Sequence, residues 1–174
     1  MKEIKEEEKK ETKVRSRALN LLSYRARSVH ELRVALKERA FSDTHIDETI
    51  DWLKEFGYLD DEKFASELAA SRVRNKNWGS IKIASDLAKR GIETEIIKSV
   101  TAELFGEGEE STAGKALERW LAKRNGPKDG PPTLPLDKNV YASAFRHLQS
   151  RGFPSSVIYQ ALKTLKPLSD DDIE

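Results

Sequence analysis

The sequence of 174 residues has no cysteine, only three histidines and no long apolar run. Without cysteine there is neither a disulfide framework nor a thiolate metal site, so a reducing cytoplasm is the expected location. No stretch approaches the roughly 18 apolar residues of a membrane span, and the N-terminus lacks the apolar core of a secretory signal. These absences predict a cytoplasmic protein without a membrane partner.

Motifs of catalysis and cofactor binding are also absent. No nucleophile elbow, P-loop or dinucleotide-binding turn occurs, and His30, His45 and His147 are too scattered for a metal site, which needs several converging ligands. Asp60 and Asp61 could be offered as a catalytic pair, but two carboxylates at a helix start are more simply a cap. We therefore expect no enzymatic activity, no cofactor and no metal.

Charge is unevenly distributed behind the net value of +1. Residues 114–168 hold ten basic and three acidic side chains, a local charge of +7, whereas residues 169–174 carry −4. A basic body of this kind favours polyanions or acidic partners.

What the sequence does contain is a pattern repeated three times. Three blocks align without a gap on Leu36, Leu87 and Leu148, and apolar residues recur at matching offsets around them. Each block has the apolar spacing of three short amphipathic helices, and no stretch alternates with the period of a strand. Trp52 and Trp120 lie at helical spacing and are expected in the core. The sequence predicts an all-α protein of three tandem three-helix modules whose neighbours share apolar surface.

The repeats also set the expected boundaries and turns. Between the second and third helices of each block a residue with positive φ is expected, which suits Gly91 and Gly152 but makes Ala40 a less comfortable occupant. The predicted segments are a charged N-terminal tail, disordered or a frayed helix (1–13), repeat 1 (14–59), repeat 2 (60–105), an acidic linker (106–113), repeat 3 (114–168) with a proline- and glycine-rich loop (125–139), and an acidic tail (169–174).

Basic residues supply the candidate contact surface. Segment 71–80 mixes cations with an aromatic ring, which can hold a phosphate backbone or stack on a base. Equally, the cations can complement a helix C-terminus while the ring fills a gap between modules. The same dipole argument applies to Arg39, Arg90 and Arg151, which share one repeat position. The candidate contact residues are Arg72, Arg74, Lys76, Trp78, Arg90, Lys123, Arg124, Arg146 and Arg151.

Three segments in order carry a family resemblance: "GYLDDEKFA" (57–65), "DLAKRGI" (86–92) and "HLQSRGF" (147–153). The set resembles the RecX family of bacterial recombination regulators, over about residues 17–165. The resemblance implies an elongated, curved array that binds RecA filaments on single-stranded DNA. It also implies inhibition of strand exchange, ATP hydrolysis and the co-protease activity behind the SOS response, with no catalytic residue or cofactor.

Two other functional classes remain open from the residues themselves. The basic third block and the surroundings of Trp78 are also typical of a helical-repeat protein that binds single-stranded DNA directly. A generic scaffold with another helical partner is the third possibility. A monomer is expected because the chain has no long heptad pattern.

Overall fold

The computed structural model describes residues 2–106, 108–125 and 138–163. The predicted tail 169–174 and all but the two ends of the predicted loop 125–139 lie outside these ranges. Within them the chain forms only α-helices, three to each sequence block, which confirms the all-α fold of tandem three-helix modules. The helices are α1 (Lys2–Tyr24), α2 (Val29–Lys37), α3 (Asp43–Glu55), α4 (Asp61–Lys76), α5 (Ser80–Lys89), α6 (Thr94–Phe105), α7 (Glu110–Asn125), α8 (Lys138–Ser150) and α9 (Ser155–Lys163).

Two helices begin earlier than their apolar stripes do. Helix α1 starts at Lys2 and takes in most of the predicted tail 1–13, and α7 starts at Glu110 inside the predicted acidic linker. Glutamate and lysine have high helix propensity, and pairs one turn apart add a few tenths of a kcal/mol each, roughly. Such a pair joins Lys10 Nζ to Glu7 Oε1 at 3.0 Å in α1. Charge patterning therefore extends helices that apolar periodicity alone does not mark.

By its internal contacts the chain divides into two compact units, one of Met1–Glu67 with Leu87–Ile97, the other of Leu68–Asp86 with Lys98–Glu174. In the first unit α1, α2 and α3 pack on one another, and in the second α7, α8 and α9 do so. The first core consists of Val14, Ala18, Leu21, Leu32, Ala35, Leu36, Ile46, Ile50, Leu53 and Leu59. The second consists of Ala113, Ala116, Leu117, Leu121, Ala144, Leu148, Phe153, Ile158 and Leu162.

The turn after the second helix has a residue with positive φ in each of the three blocks. Gly91 has φ of 73°, and the next residue, Ile92, donates its backbone N–H to the Leu87 carbonyl at 3.2 Å. This is the Schellman ending of a helix, in which glycine takes the left-handed conformation and an apolar residue follows it. Gly152 has φ of 82° in the equivalent turn, and Ala40 has φ of 59° at an exposed position. The expected positive φ is therefore present at all three places.

In the first unit this turn packs closely on the start of α2. A Cβ placed on Gly91 would lie 2.4 Å from the Cβ of His30, so a side chain does not fit. The Ser28 hydroxyl, fully buried before α2, donates to the Arg90 carbonyl at 2.6 Å. Glycine is needed here for two reasons, the positive φ and the close approach.

The second unit repeats this contact one module further along. A Cβ on Gly152 would lie 2.4 Å from the Cβ and from the backbone nitrogen of Lys82 at the start of α5. Gly79 donates its N–H to the Arg151 carbonyl at 2.9 Å, and Ile81 donates to the Gly152 carbonyl at 3.1 Å. In both units the turn of the later module therefore seats on the N-terminus of the second helix of the module before it.

Candidate functional site

The candidate contact residues are unequally divided between the two units. Arg90 alone lies in the first unit, and the other eight lie in the second. Three of these eight, namely Lys76, Lys123 and Arg151, line one cavity. Arg74 and Arg146 are exposed, and Arg146 Nε donates to the Ala142 carbonyl of its own helix at 3.3 Å.

Trp78 lies under a layer of cations. The guanidinium carbon of Arg72 is 5.0 Å from the ring centroid, Lys76 Nζ is at 5.2 Å and Lys82 Nζ is at 5.0 Å. Arg72 Nε also donates to Asp86 Oδ2 at 3.2 Å, and both side chains are partly buried. The ring is therefore used for cation–π contacts inside the unit, with Arg72 held by its carboxylate partner.

In the second and third modules, the arginine at the shared repeat position contacts the preceding module. Arg90 Nη1 donates to Glu31 Oε1 at 2.7 Å, and Arg151 Nη1 donates to the Lys76 carbonyl. In the first block Arg39 Nη1 donates instead to a carbonyl of α2 at 2.7 Å. The position thus complements a helix C-terminus in the first module and ties modules together in the next two.

Glu31 is the carboxylate partner of Arg90 in the first unit, and the neighbouring cations shift its pKa. Burial raises the pKa of the Glu31 carboxyl, but the Arg25 hydrogen bond and charge, the Arg90 charge and the Ser28 amide outweigh burial and lower the pKa overall. Arg25 Nη1 lies 2.7 Å from Glu31 Oε2. Glu31 therefore accepts two guanidinium groups, and Arg90 serves the internal structure of this unit.

A second group of basic residues in the second unit lies around a cavity of about 520 Å³. We call it the basic cavity. Four cationic side chains line it, from the end of α4, from α7 and from the residue after α8, and no carboxylate stands among its described lining residues. The lining residues are Asn75, Lys76, Asn77, Ala116, Arg119, Trp120, Lys123, His147 and Arg151.

An aromatic pair forms part of the cavity lining. Trp120 of α7 stacks on His147 of α8, with ring centroids 5.6 Å apart and planes at 26°. The Arg124 guanidinium carbon lies 5.7 Å from the Trp120 centroid. Burial, and then the charge of Arg151, lower the pKa of the His147 imidazole. The lowered pKa favours the neutral imidazole of His147, which lies beside a partly buried indole that packs against the second core.

Polar contacts hold the cavity's arginines. Arg151 is tied to the Lys76 carbonyl, as above, and Arg119 Nη1 donates to Asn77 Oδ1 at 3.4 Å. Asn77 is buried and has φ of 47°, a conformation that asparagine tolerates better than most residues. It follows the last residue of α4, Lys76, which also lines the cavity.

The aspartate pair has a structural role divided between two helices. Asp60 Oδ1 accepts the Lys63 N–H at 3.0 Å and so caps α4, as expected. Asp61 Oδ1 accepts the Val29 N–H at 2.9 Å and so satisfies the start of α2. Burial raises the pKa of Asp61 more than the Val29 hydrogen bond and the Lys54 charge lower it. In the described part of the chain no three His, Asp or Glu side chains gather as a metal site would require.

Known proteins show which family this architecture represents. Residues 15–53 match the model described as "RecX, first three-helix domain", and residues 60–100 match "RecX, second three-helix domain". The "Regulatory protein RecX" of Mycolicibacterium smegmatis is 31% identical over 153 residues, which cover 88% of this chain and 79% of that protein. The chain belongs to the RecX family. It is thus a member of a family of regulatory proteins, and none of its described helices is long and apolar enough to cross a membrane.

Other RecX proteins give the extent of the likeness. The RecX protein of Pelodictyon phaeoclathratiforme is 32% identical over 156 residues, which cover 89% of this chain and 91% of that protein. The chain spans only 57% of the Bacillus velezensis protein, to which it is 30% identical. The crystal structure of RecX from Lactobacillus salivarius superposes with a TM-score of 0.76 at 21% identity, covering 90% of this chain and 97% of that one. The fold of this RecX chain is therefore shared across nearly its whole length.

Three of the nine residues that line the basic cavity of this RecX chain were predicted as contact residues from the sequence. Arg119 and His147 were not among the candidates, although each stands four residues before one: Lys123, on α7 with Arg119, and Arg151, which directly follows α8. Basic residues at i and i+4 lie on one helix face, so that spacing could have identified them. Nothing in the sequence indicates that the end of α4 meets those two faces.

Proposed function

We propose that this protein binds RecA filaments on single-stranded DNA and inhibits the recombinase, ATPase and co-protease activities of RecA. Its role would be to modulate recombination, DNA repair and the SOS response in the cytoplasm, as a monomer. The observation that carries the proposal is a likeness to RecX regulatory proteins over 88% of the chain, together with matches to both three-helix domains.

The architecture supports a filament as the partner. Tandem repeats offer a surface that continues from module to module, suited to another repeating object. We infer that modules insert between adjacent RecA protomers and favour a filament state that hydrolyses ATP slowly. Binding can shift the filament only by its differential affinity for that state.

The test is the DNA-dependent ATPase of RecA on single-stranded DNA, titrated with this protein. The same DNA without RecA is assayed for binding in parallel. Inhibition at concentrations that leave naked DNA uncoated is the expected result. An ATPase and strand exchange that stay unchanged at low salt, with this protein in excess, would refute the proposal.

Direct binding to single-stranded DNA is the second candidate function. The basic cavity favours it, since four cations converge there without a carboxylate among the described lining residues. A direct binder retards naked single strands, and its inhibition of RecA appears only at concentrations that coat the strand. The parallel assays above therefore separate the two candidates.

A further inference from the structure

We propose that the basic cavity of the second unit binds one nucleotide of a single-stranded nucleic acid, with the phosphodiester on its cations and the base against Trp120. This inference deepens the second candidate function and does not depend on RecA inhibition. The argument rests on the size of the cavity, its charge, and the kind of surface that lines it.

Size distinguishes a nucleotide from a smaller anion. A single carboxylate or phosphate group would leave most of a cavity of about 520 Å³ unfilled. Sites for small organic ligands span roughly 300–1,000 Å³, and a nucleotide falls in that class. The cavity therefore has room for a base and a sugar beside the phosphate.

Charge indicates where the phosphodiester lies. Arg119 and Lys123 are exposed and four residues apart on α7, and Lys76 and Arg151 face them from α4 and the end of α8. Guanidinium groups match phosphate oxygens with paired hydrogen bonds, and lysine adds a point charge. No ion pair with a carboxylate joins any of these four cations in the described residues, so no carboxylate there neutralises their charge. Their other contacts are with the Trp78 ring, the Asn77 amide oxygen and a backbone carbonyl, all of which are uncharged.

The remaining lining residues suit a base. Trp120 and His147 form a stacked pair that gives the cavity an aromatic face, and bases stack on such faces without regard to sequence. Asn75 and Asn77 supply amide groups beside it. An acidic peptide would use the cations but would have no need of the aromatic face, which is why we favour a nucleic-acid strand as the occupant.

Affinity for fluorescein-labelled oligothymidylate, measured by anisotropy without RecA, is the first test. The variant Arg119→Gln with Lys123→Gln removes two charges from the cavity. The matched control, Lys115→Gln with Lys163→Gln, removes two charges from exposed positions of the same unit that do not line it. We expect a loss of about tenfold or more in the first variant and less than about twofold in the control, with the salt slope reduced by roughly 0.7 for one lost phosphate contact.

Tryptophan fluorescence tests the position of the base. Unlabelled oligothymidylate should quench Trp120 by stacking, so Trp120→Phe should abolish most of the quenching, whereas Trp78→Phe should retain it. Circular dichroism establishes that each variant is folded. Quenching lost with Trp78→Phe and kept with Trp120→Phe would place the strand on Trp78 and overturn the proposal. Equal losses of affinity in the two charge variants would overturn it as well.

Two outcomes separate this inference from the proposal on RecA. If the cavity variant keeps its oligothymidylate affinity but no longer inhibits the RecA ATPase, the cavity binds an acidic protein group and the nucleotide proposal fails. If the wild-type protein leaves RecA unaffected while the cavity variant loses oligothymidylate affinity, the nucleotide site stands and the proposal on RecA fails.

Discussion

At the scale of single residues, glycine has different roles at positions with the same backbone conformation. Gly57 and Gly91 have φ of 71° and 73°, but nothing lies within 4 Å of a Cβ added to Gly57, whereas one added to Gly91 collides with His30. Gly57→Ala should therefore lower the free energy of unfolding only through the strain of a left-handed alanine, by about 1–2 kcal/mol. Gly91→Ala should cost about 1–3 kcal/mol more through overpacking, as measured by denaturant unfolding.

Gly57→Ala is the internal control for this experiment, because both glycines lie in the first unit. Equal free energies of unfolding in the two variants would contradict the role of the close approach. Gly152→Ala provides the same comparison for the second unit, where the obstructing residue is Lys82.

His147 gives the stability of the second unit a pH dependence. Because its pKa in the folded protein lies below the ordinary 6.5, the unfolded chain takes up the proton first as the pH falls. Stability is therefore lost on acidification through 6.5 toward the lowered pKa. His147→Gln should remove that component, so its unfolding midpoint should fall less than that of the wild type between pH 7.5 and 5.5. Unfolding midpoints that fall equally with pH in the variant and the wild type would contradict this role of His147.

At the scale of elements, the start of α2 shows how one module completes another. The first four N–H groups of a helix have no acceptor within the helix. Ser28 Oγ accepts the Glu31 N–H at 3.1 Å, and Asp61, from the start of α4, accepts that of Val29. The local sequence identifies the first acceptor by its capping pattern, but not the second, which is 32 residues away.

Replacing Asp61 tests that second cap. Asp61→Ala leaves the Val29 N–H without its acceptor and should cost about 1 kcal/mol, the usual value of a lost cap. Asp61→Asn keeps an acceptor oxygen and should cost much less. Because burial raises the Asp61 pKa, the folded state also binds a proton more readily than the unfolded state. Any advantage of the asparagine variant near pH 7 should therefore shrink as the pH falls through the raised pKa.

The element scale also shows what the sequence could and could not predict. Leu36 and Leu148 occupy the same position of the repeat, and both are buried in equivalent helices, as the alignment predicts. For residues 1–13 the sequence left disorder and a frayed helix open, because charged residues can extend a helix without an apolar stripe, and the structure has a helix that starts at Lys2. Nor could the basic cavity be predicted, since it needs the sharp end of α4 at Asn77 and the meeting of three helices that are distant in the sequence.

At the scale of the whole molecule, the distribution of charge decides the response to salt. The net charge of +1 gives little overall attraction to DNA, whereas residues 114–168 carry +7. Direct binding to oligothymidylate should therefore depend on the basic region and on salt, with the affinity falling roughly seven- to twentyfold between 50 and 200 mM salt if two or three phosphates are contacted. An affinity independent of salt would exclude phosphate contact as the basis of binding.

In both units the turn of one module packs on the second helix of the module before it. This contact limits how a further module could be added to the array. A new module joined ahead of the first would bring its second helix against the turn at Ala40, in the place that His30 takes at Gly91. The methyl group of alanine would then obstruct the junction, so lengthening the array at that end would first require glycine at position 40.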